Sequence, residues 1–507
     1  MKAFLTNGLL LVVSILLCLA AAEGVTRWAD GLPVFTLHLP DTVGAEVTSA
    51  QLDGVRRAAG VRRDWFFDDP LPLPNRHQPP EVWRQLDELV GRNFSTGASV
   101  FHRTDMFKVW NAAFVGDPCK HIYLHAAPGR LFVYDPSDGA VNPIYRFLPN
   151  ATTPVGLVTN QFGWRGPPIP FKRSEKSVRI VFIGASTTVN NHTYPYSYPE
   201  FIGHWLDLWA ADRGLDVRFE VLNAGRESIK STDIAAIVRQ EVAPLHPDLV
   251  VHYEGANQFE LSTVVKKMPK EAAPPRASSA KPQGMLERRL RDAAYDFALA
   301  RRLEALVGAR GVPADGRQWP KPDYEVTWPV GLDEFNPDLT HPDLPVNLGA
   351  ILGDLDRIRA DLAAVGSEFV LSSFKWLVKD GLVLDPIRHK HILEDLNIVH
   401  FPFRYRDLER LADFQNRVLA QYAAAQGLTF FDVARDMPSD PDLFTDAIHE
   451  TYPGVRLRAW IVFQQLLSVI EKKLASGAWP KPVPVMGDSH PAFKVPPREV
   501  TFQCKRS

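Results

Sequence analysis

The chain has 507 residues, 45% hydrophobic and 23% charged, enough apolar material to close one large core or two and too much for a disordered chain. Its 57 Lys and Arg are offset by 59 Asp and Glu, a formal net charge of -2. No basic excess is left to neutralise phosphates, so nucleic acid is excluded as the expected main partner.

At the N-terminus Lys2 precedes an apolar run from Leu9 to Leu19, and Ala20-Ala21-Ala22 then leads to Glu23. This order reads as a secretory signal peptide over residues 1–22 with A-x-A cleavage, so the expected setting is periplasmic or secreted. The alternative is an uncleaved anchor facing outside; Asn7-Gly8 interrupts the run, whose length is marginal for a bilayer. Cys18 follows Leu17, where lipidation wants a small residue. No other stretch approaches a membrane span, so none is expected in the mature chain. Cys119 and Cys504 then remain, and an oxidising compartment permits them to pair.

Residues 23–165 read as an irregular accessory region, with a proline cluster at Pro70-Leu71-Pro72-Leu73-Pro74 and short strand candidates at 121–124 and 130–134. Its aromatic residues are read as core rather than as a sugar-binding surface. Residues 166–476 change to strand and helix in alternation. The strands are Val178 to Ile183, Val217 to Leu222, Leu249 to Tyr253, Phe369 to Ser373 and Thr429 to Val433. Helical patterns lie between them at Pro199 to Arg213, Thr232 to Val242, Leu348 to Ala364 and Tyr405 to Gln426, and a last one at Pro453 to Leu474. The expectation is an α/β, flavodoxin-like three-layer sandwich on a five-stranded parallel sheet. A long insertion at about 261–347, proline- and alanine-rich with a basic helical segment near 285–306, reads as either a cap or a surface excursion. The Pro-rich tail, 477–507, is left as coil.

The first strand, Val178-Arg179-Ile180-Val181-Phe182-Ile183, stops at Gly184 and delivers Ser186 two residues later. Ligands sit beyond the carboxyl ends of strands in such sheets, which makes Ser186 a candidate nucleophile. A second Gly-Ala-Ser, at 97–99, follows no buried strand and is set aside. After the third strand, Glu254-Gly255-Ala256-Asn257 puts an amide at a strand end, where it can donate to an oxyanion. After the fifth, Asp446 and His449 are three residues apart on a loop, so the carboxylate can hold one imidazole nitrogen while the other faces the serine. The rival pair, Asp338 and His341, lies in the insertion and ends no strand. His389 and His391, without acidic or cysteine ligands nearby in sequence, read as a solvated basic turn rather than a metal site.

In this order and at these strand ends, the pieces resemble the SGNH hydrolase family, the GDSL-type esterases, over roughly 160 to 475 without the insertion. The Gly-Asp-Ser block is matched by Gly184-Ala185-Ser186, with alanine for aspartate, and Gly-x-Asn-Asp by Gly255-Ala256-Asn257, with Gln258 at the last place. Asp-x-x-His is met by Asp446 and His449. The second block is matched by Val221-Leu222-Asn223-Ala224-Gly225, with Ser228 where the family places an oxyanion-hole glycine. Asn160-Gln161-Phe162-Gly163-Trp164-Arg165 resembles a segment preceding the catalytic domain in larger bacterial members, which implies a structural role for Arg165. The resemblance implies Ser186 as nucleophile, His449 as base and Asp446 as its orienting acid. Backbone N–H groups of Ser186 and Ser228, with Asn257, form the implied oxyanion hole, and Gly225 is the fallback. No cofactor and no metal are implied. The implied substrate is a small-molecule or carbohydrate ester, with O-acyl groups on carbohydrate preferred. The alternatives are acetyl transfer onto polysaccharide and a non-catalytic carbohydrate-binding or assembly protein on an esterase scaffold.

Overall fold

The computed structural model describes residues 2–29, 34–35, 46–71, 73, 142–143, 146–147, 149–150, 158–190, 196–261, 264–266, 297–307, 316–385 and 389–493. Helix α1 (Lys2–Ala29) and a short α2 (Ser49–Gly54) precede the sheet. The alternation follows as β1 (Ser177–Gly184), α3 (Ser186–Val189), α4 (Tyr198–Asp212), β2 (Arg218–Asn223), α5 (Ser231–Ile237) and β3 (Leu249–Tyr253). After the insertion, which carries α6 (Ala298–Val307), come α7 (Leu348–Ala364), β4 (Glu368–Ser372), α8 (Tyr405–Ala425), β5 (Thr429–Phe431) and α9 (Tyr452–Ala475).

The five strands run parallel in the order β2-β1-β3-β4-β5. That order reverses between β1 and β3, and the crevice there is where doubly wound sheets place their ligands. Helices α4 and α9 pack together on one side of the sheet, and α5, α7 and α8 on the other, which gives the expected three layers.

β1 is buried along its whole length, as its Val-Ile-Val-Phe-Ile composition demands for a central strand covered on both faces. The exception in composition, Arg179, is fully buried too. Its register partner on β2 is Glu220, with which it pairs at 2.8 Å, and its remaining donors reach the carbonyls of Pro170, Phe171 and Leu245. A buried guanidinium is tolerated only with this degree of satisfaction. α8 buries Leu408, Leu411, Val418, Leu419 and Tyr422, a stripe at three- and four-residue spacing. α9 starts where Thr451 Oγ1 accepts from the Gly454 N–H, with Pro453 in the first turn.

Several expected boundaries shift. The helix expected over Thr232 to Val242 is α-helical only to Ile237 and continues as a π-turn over Val238–Val242. β5 ends at Phe431, because Val433 opens a short helix. The tail as far as Phe493 is packed: Trp479 is buried, Lys481 Nζ donates to the Gly366 carbonyl at 2.7 Å, and His490 Nε2 lies 2.8 Å from the Glu241 carbonyl. Part of the accessory region joins the main core, where Phe66 packs on Trp205 and Trp460 with ring centroids 6.2 and 5.6 Å apart. The second half of the insertion lies on α8, with Trp328 edge-on to Phe414 at 4.8 Å and Tyr324 accepting from the Arg404 N–H at 2.7 Å. Cys119, Cys504, the strand candidates at 121–124 and 130–134, and residues 285–296 of the basic segment lie outside the described residues.

Candidate active site

A side chain at Gly184 would collide with the Tyr253 carbonyl oxygen and with Thr188 Oγ1, so only glycine lets β1 pass this close to the end of β3. Two residues later Ser186 opens the single-turn helix α3 and is 5% exposed. The carbonyls of this turn are held from three directions. Asn223 Nδ2 donates to Thr188 O at 2.8 Å, Arg458 Nη2 to Thr187 O at 2.6 Å, and Arg165 Nη1 to Val189 O at 3.0 Å. Thr188 Oγ1 in turn donates to Tyr253 O at 2.9 Å. The serine backbone is therefore anchored by β2, α9 and the Asn160–Arg165 segment together.

His449 Nε2 lies 2.8 Å from Ser186 Oγ, and its Nδ1 lies 2.7 Å from Asp446 Oδ2. The other carboxylate oxygen accepts from the backbone N–H groups of Ile448 and His449 at 2.9 and 2.7 Å. Since an ionised Asp446 only accepts, Nδ1 carries the imidazole proton, and Nε2 offers its lone pair to the serine hydroxyl. The loop is closed by Thr445 N–H donating to His449 O at 2.8 Å and Thr451 N–H to Leu443 O at 2.9 Å.

The second loop of the site follows β2. Ser228 has φ +57 and is exposed, the left-handed region that glycine enters most readily. Asn257 Nδ2 donates to the carbonyl of Ile229, the residue after Ser228, at 2.8 Å, so the loops after β2 and β3 are tied together. Glu254 Oε1 accepts from the Ala256 and Asn257 N–H groups at 2.9 and 2.8 Å and fixes the asparagine's backbone. The Gly225 N–H is committed to Asn223 Oδ1 at 3.0 Å, and the residue is buried against the turn that follows Ser186.

Charged groups that the sequence motifs did not flag surround this arrangement. Arg458 is fully buried, pairs with Glu450 at 2.7 Å, and stacks over Tyr198 and Tyr253 at 4.1 and 4.4 Å. Burial pushes the Glu450 carboxyl above its usual range, opposed by that guanidinium. A signal for Arg458 existed: it directly precedes the apolar run Ala459-Trp460-Ile461-Val462-Phe463. Asp395 accepts from the Ala447 N–H at 3.0 Å, inside the Asp446–His449 loop, and its carboxyl is pushed up first by burial and then by the charge of Asp446. No sequence pattern marks it.

The rival pair does not form a dyad: Asp338 Oδ1 accepts from Thr340, and His341 Nε2 lies 3.2 Å from the Val330 carbonyl on an exposed turn. His389 is not solvated as expected, because its Nε2 lies 2.7 Å from Asp442 Oδ1 with a side chain 10% exposed. Among the described residues no group of three or more His, Cys, Asp or Glu is arranged to hold a metal.

Neither a family model nor a curated protein sequence matches the chain. Matches among solved structures include a GDSL-like lipase from Bacteroides thetaiotaomicron, at 14% identity over 59% of this chain and 91% of that one, with a TM-score of 0.28. An acetylxylan esterase from Geobacillus stearothermophilus aligns at 14% identity over 58% and 96%, TM-score 0.30. A lipase/acylhydrolase from Enterococcus faecalis aligns at 15% identity over 58% and 96%, TM-score 0.29. Identity and TM-score at this level do not bear on chemistry; the contacts of Ser186, His449 and Asp446 do.

Proposed function

We propose that this chain is a serine ester hydrolase of the SGNH type that acts outside the cytoplasm and removes O-acyl groups, acetyl above all, from a carbohydrate or related ester. The observation that carries the reading is the continuous line from Ser186 Oγ to His449 Nε2 at 2.8 Å and from His449 Nδ1 to Asp446 Oδ2 at 2.7 Å. A hydroxyl, a base and an orienting carboxylate in this relation are the parts acyl transfer needs.

Ser186 Oγ attacks the ester carbonyl while His449 Nε2 takes its proton; the carbonyl π bond opens to a tetrahedral oxyanion. The same nitrogen then protonates the leaving alkoxide, giving the acyl-enzyme and the free alcohol. Water repeats the sequence and releases the acid. Asp446 keeps the imidazole in the tautomer that serves both steps. The N–H groups of Ser186 and Ser228 and the second hydrogen of Asn257 Nδ2 are the donors proposed for the oxyanion, each contributing about 3 kcal/mol in the transition state. The chemistry needs no cofactor. A nucleophile only 5% exposed suits a short acyl group such as acetyl.

The test is p-nitrophenyl ester hydrolysis across acyl lengths with labelling by a fluorophosphonate. Wild type hydrolyses acetate best and is labelled at Ser186, and Ser186→Ala does neither. Absence of labelling in folded wild-type protein would turn the assignment to a non-catalytic scaffold, and preference for long chains would move the substrate to lipid.

A further inference from the structure

Helix α1 runs unbroken from Lys2 to Ala29, straight through the Ala20-Ala21-Ala22 site at which cleavage was expected. An 18-residue window of its candidate span, Thr6–Ala29, has a mean hydropathy of 2.4 and holds no buried residue. Leu9 is 65% and Leu17 66% exposed. From Leu9 to Leu19 the helix is exposed on every side and apolar apart from Ser14, and such a stretch has hydrocarbon as its natural solvent. From Phe4 to Ala22 such a helix is about 28 Å long, close to the roughly 30 Å of a bilayer core.

The end of the apolar run is fastened to the insertion. Glu23 Oε1 accepts from the Ala298 N–H at 2.8 Å, and Oε2 from the Leu299 N–H at 2.8 Å, so its carboxylate fork closes the first turn of α6. Arg27 Nε donates to the same carboxylate at 2.5 Å and is 3% exposed, which neutralises the acid where the hydrocarbon would end. One residue on, Trp28 is 77% exposed, the residue type that settles at the headgroup level. A peptidase must draw the residues around its cut into an extended strand. Helix through the cut, and a strap on the residue immediately after it, oppose that.

We infer that α1 is a retained membrane anchor and that Glu23 fastens α6 of the insertion to its outer end, at the bilayer surface. The partner of this face is lipid. Lys2 lies on the inner side, while Arg27 on the outer side is charge-compensated by Glu23, which orients the sheet domain outward. The inference is independent of esterase activity.

The test uses the full chain with its own N-terminus, made in a Gram-negative host. Membranes are washed with alkaline carbonate, and the N-terminal tryptic peptide is identified. Retention in the washed membranes with the peptide 3–27 is expected; a soluble protein yielding 23–27 would overturn the anchor. Hydrogen exchange on detergent-solubilised protein reads the strap. The first amides of a helix have no intrahelical acceptor, so protection at Ala298 and Leu299 falls by about tenfold or more in Glu23→Ala. Equal exchange in wild type and variant would overturn the strap even with the anchor retained.

Discussion

Arg458 Nη2 donates to the carbonyl oxygen of Thr187 at 2.6 Å, so a guanidinium buried in the last helix holds the residue directly after the proposed nucleophile. The same group is ion-paired to Glu450, the neighbour of His449 in sequence. One buried charge pair thus couples the serine turn to the histidine loop. Arg458→Met removes the donor and strands Glu450 without a counter-charge; the expected loss is about 3–5 kcal/mol of stability, as for other broken buried pairs. The double variant Arg458→Met with Glu450→Gln recovers part of it. Urea unfolding of the three proteins reads the difference, and an unaltered midpoint for the single variant would refute the coupling.

Asp446→Asn keeps the shape of the loop but presents an amide hydrogen to Nδ1, which reverses the imidazole tautomer. The expected outcome is a fall in kcat of three to four orders of magnitude with KM little changed. Steady-state kinetics on a p-nitrophenyl ester, with circular dichroism to verify the fold, measures it.

The donors proposed for the oxyanion separate by chemistry. Asn257→Ala removes a side-chain donor and is expected to cost about 10²–10³ in kcat. Ser228 supplies only its backbone N–H, so its side chain is dispensable. With φ +57, Ser228→Gly keeps activity and gains up to about 1 kcal/mol of stability, whereas Ser228→Pro removes the N–H, forces φ negative and loses activity. A Ser228→Pro enzyme with normal kcat would remove Ser228 from the oxyanion hole.

His252, on β3, is fully buried, neither ring nitrogen has a hydrogen-bond partner among the described residues, and burial pushes its imidazole down to about 4. In the unfolded chain it takes its proton near 6.5; in the folded protein only near 4. Between those values the unfolded state holds more protons, so stability is complete above 6.5 and falls with acidification, by at most about 3 kcal/mol at pH 4. His252→Leu is expected to flatten that part of the stability–pH curve, measured by denaturant titration at pH 7, 5.5 and 4.5. An unchanged slope would show that His252 carries none of it.

The strands were readable because a buried, parallel strand is a largely apolar run, which β1 and β3 are apart from Arg179 and His252. Helix ends read less well: Glu241, inside the π-turn after Ile237, is met by Arg146, Arg226 and Trp164 from outside the helix, and no local pattern announces that. The candidate nucleophile was legible because it follows the end of β1, and its histidine because it stands three residues after Asp446 on the loop before α9.

What the sequence by itself determined is the alternation of apolar periods, hence the layered sheet, and the residue types offered at its carboxyl edge. Only the tertiary structure decided that Ser186 and His449 touch, because a hydrogen bond requires alignment within a few tenths of an ångström, and that alignment comes from packing across the core. It also revealed the support by Arg458, Glu450 and Asp395. Such groups carry no local pattern: a buried charge is permitted wherever a partner arrives to meet it, and the partner's arrival is a property of the folded chain alone.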